Sequence, residues 1–162
     1  MDTWLAIASK RDTRAYADTP VPDDVRRRIL DAGRLTGSSR NTQLWEFVVP
    51  GPEAQARLAE AVYAPENVAG AALVVAVVGE ARPFDVGRCC QNMMLAAWND
   101  GIASCPNGVR DAESAAEICG GDVKAVLSFG YAARPRDPER RTAEGWSARA
   151  ERKPLDELTR EA

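Results

Sequence analysis

Three short stretches of this chain gather the side chains that could do chemistry. Lys10-Arg11-Asp12-Thr13-Arg14 places three cations within five residues. Gly37-Ser38-Ser39-Arg40-Asn41-Thr42-Gln43-Leu44-Trp45 packs hydroxyls, two amides and a guanidinium into one polar connection closed by an aromatic. Ser104-Cys105-Pro106-Asn107-Gly108, following Gly101, reads as a second tight polar bend, and Arg152 adds a further cation near the C-terminus. Cations that converge where the backbone bends bind phosphate through charge-assisted hydrogen bonds. Polar loops held by rigid elements are where binding groups concentrate. Together the three stretches look like parts of a site for an anionic cofactor. Each also has a plainer reading. Basic residues at a helix end favour the negative pole of its dipole, and Gly37 on that view only caps a helix ahead of a serine turn into a strand.

What is missing narrows the chemistry. The 162-residue chain contains no histidine, which removes the usual general base and the commonest metal ligand. Ser-His and Cys-His nucleophile pairs are thereby excluded. The difficult chemistry then falls to a bound organic cofactor, with the protein supplying position and charge. Cys89, Cys90, Cys105 and Cys119 show no metal-type spacing, so no metal is expected and they read as reduced core thiols of a cytoplasmic protein. A net charge of −3 gives nucleic-acid binding no bulk electrostatic support. The most apolar run, Ala69 to Gly79, is about half of the ~20 residues a membrane span needs. The N-terminus lacks a basic-then-apolar export signal. Hydrophobic content of 45% and charged content of 28% suit one globular domain.

The elements that must position these groups follow from the apolar spacing. Asp2-Thr3 caps a short helix over Trp4–Ala8. Pro22-Asp23-Asp24 starts a second, with Val25, Ile29, Ala32 and Gly33 on one buried stripe and Arg26, Arg27 and Arg28 facing solvent. The polar connection then feeds a strand over Trp45–Val49, and Pro52 starts a third helix running to Val62. Ala72–Val78 reads as a strand buried on both faces and therefore central. From Phe84 to Trp98 a wide stripe of Val86, Cys89, Cys90, Met93, Met94 and Ala97 predicts a long helix in the core or at a subunit interface, ended by Gly101. A helix over Asp111–Cys119 and a strand over Ala125–Tyr131 complete the pattern. Beyond Ala133 it dissolves into arginine, proline and glutamate with Trp146 as the anchor, a tail either disordered or wrapped over a neighbour.

With these residues in view the chain resembles the FMN-dependent nitroreductase family. The motifs are Arg11–Tyr16, Gly37–Trp45, Asp85–Ala97 and Gly101–Cys105, with Gly130-Tyr131 and Arg152–Leu155 resembling the closing segments. They occur in the family's order across nearly the whole chain. The resemblance implies an α+β fold, a mainly antiparallel central sheet wrapped by helices, in an intertwined homodimer with two FMN molecules at the interface. It implies an FMN-binding core over residues 1–133 and a C-terminal arm over 134–162 that crosses to the partner. Lys10, Arg11, Asp12 and Arg14 would line the cofactor, Lys10 or Arg11 towards the phosphate. Arg14 would stand at the N1/O2 edge, where a cation stabilises charge on the reduced ring. Gly37, Ser38, Ser39 and Asn41 would reach the partner's FMN, with Gln43 and Trp45 supporting the loop. Pro106, Asn107 and Gly108 would present backbone near N5, Gly108 among them, and Arg152 would complete the phosphate clamp.

The implied activity is electron transfer from NAD(P)H through flavin N5 to a nitroaromatic, quinone or similar small acceptor. Three departures from the family pattern bear on it. Gly37 and Leu44 stand where proline is usual, and Asp12 where serine is usual. Asp at that place occurs in the flavin-fragmenting dimethylbenzimidazole synthase branch, so a dedicated biosynthetic flavoenzyme is an alternative, as is a degenerate flavin-sequestering protein. Only Glu80-Ala81-Arg82-Pro83 separates the central strand from the long helix, where many relatives insert helices over the substrate. A carboxylate a few ångströms from a phosphate repels it by roughly 1 kcal/mol in water and more where solvent is excluded. Asp12→Ser is therefore expected to tighten FMN binding about tenfold, less at high salt. Titration calorimetry at two salt concentrations checks this; unchanged or weaker binding would make Asp12 an organiser of the neighbouring arginines instead.

Overall fold

Leu73–Val78 (β2) is a run of six apolar residues, and in the computed structural model, which describes residues 1–161, all six are buried. Such a strand needs cover on both faces, and the sheet provides it. Glu46–Val48 (β1), β2, Val123–Gly130 (β4) and Ala103–Asn107 (β3) lie side by side in the order β1-β2-β4-β3, every pair antiparallel. Alternation along β2 then divides the core in two. Leu73, Val75 and Val77 pack with Leu127 and Phe129 of β4 against Asp23–Arg34 (α2) and Pro83–Asn99 (α5). Val74, Ala76 and Val78 pack with Val126 against Pro52–Glu60 (α3), Pro65–Ala69 (α4) and Ala112–Cys119 (α6). Fully buried Ile29, Met93, Leu127 and Phe129 anchor the first side, each side chain worth about 1.5–3 kcal/mol of burial.

The α2–α5 contact is close because α2 carries a glycine there. A Cβ at Gly33 would sit 2.7 Å from the tip of Phe47 and 2.2 Å from Met93 Cε. Cys89 Sγ donates to the Gly33 carbonyl across the same contact, and Asn92 Nδ2 donates to Thr36 Oγ1 at 2.8 Å. The long helix ends as its sequence predicts. Gly101 takes a left-handed φ of 76°, the Ile102 N–H donates to the Ala97 carbonyl and the Gly101 N–H to that of Trp98, which is the six-to-one and five-to-two pattern of a glycine-capped end. Arg26, Arg27 and Arg28 are exposed, and Arg28 pairs with Asp24 and Asp100.

Three readings change, and one element is added. The helix from Pro52 stops at Glu60, and Val62 instead forms a bridge with Val109. A short helix, Pro65–Ala69, occupies a stretch whose pattern was too brief to show one. Gly37 is no helix cap: α2 is capped at Leu35 in right-handed conformation. The stretch 103–107 is the edge strand β3, not a bend. Pro106 misled because it lacks an N–H, yet at a sheet edge that costs nothing.

Arg11–Pro135 make one compact unit, and Met1–Lys10 with the chain from Arg136 make a second. In the second, Thr3–Ser9 (α1) packs against Ala143–Arg149 (α7), so the unpatterned tail carries a helix. Thr142 caps α7 by accepting from the Gly145 N–H, and buried Trp146 donates through Nε1 to the Pro138 carbonyl at 2.8 Å while Arg141 lies over its ring. One aromatic and one cap thus order a segment too polar to show a stripe.

All four cysteines are buried, and none is in a disulfide. Burial, reinforced by Cys90, pushes the Cys89 thiol up to about 12, and burial pushes Cys90 to about 11, from an ordinary value near 9. The folded state therefore keeps these protons after the unfolded chain has lost them. Their contribution to stability is intact below about pH 9 and is lost as pH rises from 9 towards 11–12. Urea midpoints are expected to fall above pH 9, and to fall less in a Cys89→Ala/Cys90→Ala variant. Parallel curves for the two proteins would refute the thiol contribution.

Candidate functional site

Residues 11–14 of the basic stretch lie along the outer edge of β3. Asp12 forms a parallel bridge with Ser104, and the Thr13 N–H donates to the Ser104 carbonyl at 3.0 Å. Further on, Tyr16 bridges Ala132, with the Ala17 N–H donating to Tyr131 and the Ala133 N–H to Ala15. The segment is thus sewn to the sheet at both ends, which leaves Asp12 and Arg14 exposed and Arg11 half-buried. Beside it, Ser104 Oγ is buried and has no hydrogen-bond partner among the described residues. Two guanidiniums on a pinned backbone next to an uncommitted hydroxyl suit a phosphate-bearing ligand.

β3 carries the other predicted contacts. Pro106 is exposed, Asn107 is buried and Gly108 is exposed just past the strand's end. Asn107 Oδ1 has no partner among the described residues, while its Nδ2 donates to the carbonyls of Cys105 and Val126 and to Ser128 Oγ. The Gly108 carbonyl accepts from the Tyr63 N–H at 3.0 Å, and a Cβ on Gly108 would meet the Tyr63 ring at 3.1 Å. Arg11–Arg14 and Pro106–Gly108 therefore belong to one structural neighbourhood through β3.

The polar loop lies elsewhere, leading into β1 at the opposite edge of the sheet. Its backbone is unusual: Arg40, Asn41 and Gln43 take left-handed φ values of 54°, 55° and 49°. Strain of this kind, of order 1–3 kcal/mol per residue, persists only where surroundings enforce it. Ser38 Oγ accepts from the Gln43 N–H at 2.9 Å, Thr42 Oγ1 donates to the Ser39 carbonyl, and Gln43 Nε2 donates to Asn41. Gly79, at φ 118°, lets the Leu44 carbonyl approach to 2.7 Å of where a Cβ would sit. Gly37 lies beside the Arg88 guanidinium.

The residue that spacing alone missed here is Asp85. It stands in the first turn of α5, where an acid reads simply as a partner for the helix dipole. In the structure it is buried, its Oδ2 accepts from the Ser39 N–H at 3.2 Å, and Arg88 lies 3.9 Å from Oδ1. Asp85 thus ties the loop to the helix. With Ser38, Ser39, Arg40, Thr42, Trp45 and Arg82 it lines a pocket of about 140 Å³. Lys10 and Arg152 belong to the terminal unit, Lys10 half-buried at the end of α1 and Arg152 exposed after α7. Among the described residues no group of three or more acidic or cysteine side chains is placed to hold a metal, and no helix is long and apolar enough to cross a membrane.

This fold and these motifs define an α+β protein of the nitroreductase class. The nitroreductase family model matches residues 7–84 and 79–131, and the chain belongs to that family. A putative nitroreductase from Desulfovibrio desulfuricans, solved in complex with FMN, is 25% identical over 100% of this chain and 98% of its own, with a TM-score of 0.79. The nitroreductase family protein of Streptococcus pneumoniae TIGR4 superposes with a TM-score of 0.82 at 17% identity, over 99% and 100% of the two chains. The NADPH:FMN oxidoreductase of Vibrio harveyi, complexed with NAD+, gives 0.76 at 21% identity over 80% of this chain and 68% of that one. The last two show the shared fold.

Hydrogen bonds to charged groups are worth about 1.5–3 kcal/mol against 0.5–1.5 for neutral ones. Asp85→Asn, which keeps an acceptor and removes the charge, is expected to cost about 1 kcal/mol and lower Tm by ~2–4 °C. Scanning calorimetry measures it. An unchanged Tm would mean that Asp85 does not hold the loop.

Proposed function

We propose that the chain is an FMN oxidoreductase that passes electrons from NAD(P)H to a nitroaromatic, quinone or similar small acceptor, working as a cytoplasmic homodimer. The observation that carries the reading is the pinning of Arg11–Arg14 along β3, beside the unpartnered Ser104 hydroxyl and on the strand that ends at Asn107-Gly108. Family membership and the FMN-bound relative from Desulfovibrio desulfuricans support it. When bound, FMN supplies hydride acceptance and electron delivery, which asks no general base of a chain without histidine.

The chain's own residues bind and orient. Arg11 holds the phosphate. Arg14 places a fixed positive charge at the edge of the ring where negative charge develops, and such preorganised charge acts with little reorganisation cost. Asp12 moderates the pull of its neighbours. The backbone at Asn107 and Gly108 faces the reacting edge. Gly37, Ser38, Ser39 and Asn41, supported by Gln43, complete the site of a second copy, because in one copy they enter the sheet at the edge opposite β3. Residues 134–162 form an arm of the same domain that crosses to that copy. Asp12 favours a second reading, a biosynthetic flavoenzyme acting on one metabolite or fragmenting the flavin.

The purified protein is expected to be yellow, or to take up FMN in preference to riboflavin by about tenfold or more, the worth of the charge-assisted phosphate contacts. Anaerobic NADH or NADPH should bleach the visible band and a quinone or nitroaromatic restore it. Equal affinity for FMN and riboflavin would remove the phosphate clamp, and a band that neither nicotinamide bleaches would favour the second reading.

A further inference from the structure

Tyr16, Ser128 and Asn107 form a hydrogen-bonded chain inside an otherwise apolar layer. The Tyr16 hydroxyl lies 2.9 Å from Ser128 Oγ and 3.2 Å from the Ser128 carbonyl. Asn107 Nδ2 donates to Ser128 Oγ at 3.1 Å, and Ser128 Oγ can donate to the Cys105 carbonyl at 3.3 Å. With its one proton on Cys105, Ser128 Oγ accepts from both Asn107 and Tyr16. Ser128 is fully buried and Asn107 nearly so, in a layer shared with Val74, Ala76 and Val126. Buried polar groups are costly in such a layer unless they are hydrogen-bonded, and a network of such bonds favours one arrangement.

The arrangement they span is the site proposed above. Tyr16 ends the basic segment, and Asn107 ends the strand that the segment runs along. The segment's main-chain attachment is the Thr13 donation to Ser104 at one end and, at the other, the Ala17 donation to Tyr131 and the Ala133 donation to Ala15. Gly130 makes room for the ring, since a Cβ there would lie 2.9 Å from Tyr16 Cδ1. We propose that Tyr16 and Ser128 are positioning residues that hold Arg11–Arg14 in register with Asn107-Gly108, so that cations and strand end act on one bound FMN. The inference rests on the FMN reading, and its test separates the two.

Tyr16→Phe keeps the ring and removes one oxygen; Ser128→Ala removes the acceptor; Gly130→Ala displaces the ring and removes no polar side chain. The readouts are the Kd for FMN divided by that for riboflavin, and hydrogen-exchange protection of the Thr13 and Ala17 amides. Each variant is expected to lose about tenfold of its preference for FMN, the worth of one displaced charge-assisted contact. The Tyr16→Phe/Ser128→Ala double variant is expected to lose less than the sum of the two singles, since the Tyr16–Ser128 hydrogen bond is common to both. Protection at Thr13 and Ala17 should fall while Val75 on β2 keeps its own. An unchanged affinity ratio accompanied only by lower Tm would overturn the proposal, as would retained protection at Thr13. If the parent chain binds no flavin, the FMN reading fails and the exchange measurement still decides whether the network holds the register.

Discussion

The constraint on which the structure depends is that β2 is apolar on both faces. Helices must then cover the sheet above and below, and they do, α2 and α5 on one side and α3, α4 and α6 on the other. A sheet covered on both faces has only its edges left for polar work. The basic segment accordingly runs outside β3 and the polar loop enters through β1, with β2 and β4 between them. Placing the two clusters apart follows from burying the strand.

That separation has a consequence for chemistry. The segment beside β3 brings cations and a strand end into one neighbourhood, while the loop beside β1 brings hydroxyls and amides on a strained backbone held by Asp85. Under the proposed function each supplies only part of a cofactor site. Two copies related by a two-fold axis can supply both sets to each of two sites, because an isologous interface presents the same patch from each side. Phe84, at the start of α5, is exposed with Arg88 over its ring.

Much of this was legible in the residues. β2 was recognisable by its unbroken apolar run, and α5 by its stripe and its glycine stop, because burial dictates both. β3 was not, since five residues containing serine, proline and asparagine carry no periodicity, and edge position alone excuses the proline. The tail helix depends on Trp146 and the Thr142 cap, two local contacts without a repeating pattern. Within the candidate site the cations were plain from their spacing. Asp85, Ser128 and Tyr16 were not, because each acts through a partner distant in sequence: Ser39 for Asp85, and each other, 112 residues apart, for Tyr16 and Ser128.

The central claim, that one site draws on both edges of the sheet through two copies, is tested most directly by mixing defective chains. One variant loses the cations beside β3 (Arg11→Ala/Arg14→Ala) and the other the polar loop (Ser38→Ala/Ser39→Ala/Asn41→Ala). Each alone is expected to hold little FMN. After unfolding and refolding together in equal amounts, random pairing makes roughly a quarter of all sites intact, so FMN binding should return to about that fraction. A mixture that binds no more FMN than the two variants measured separately would contradict the account.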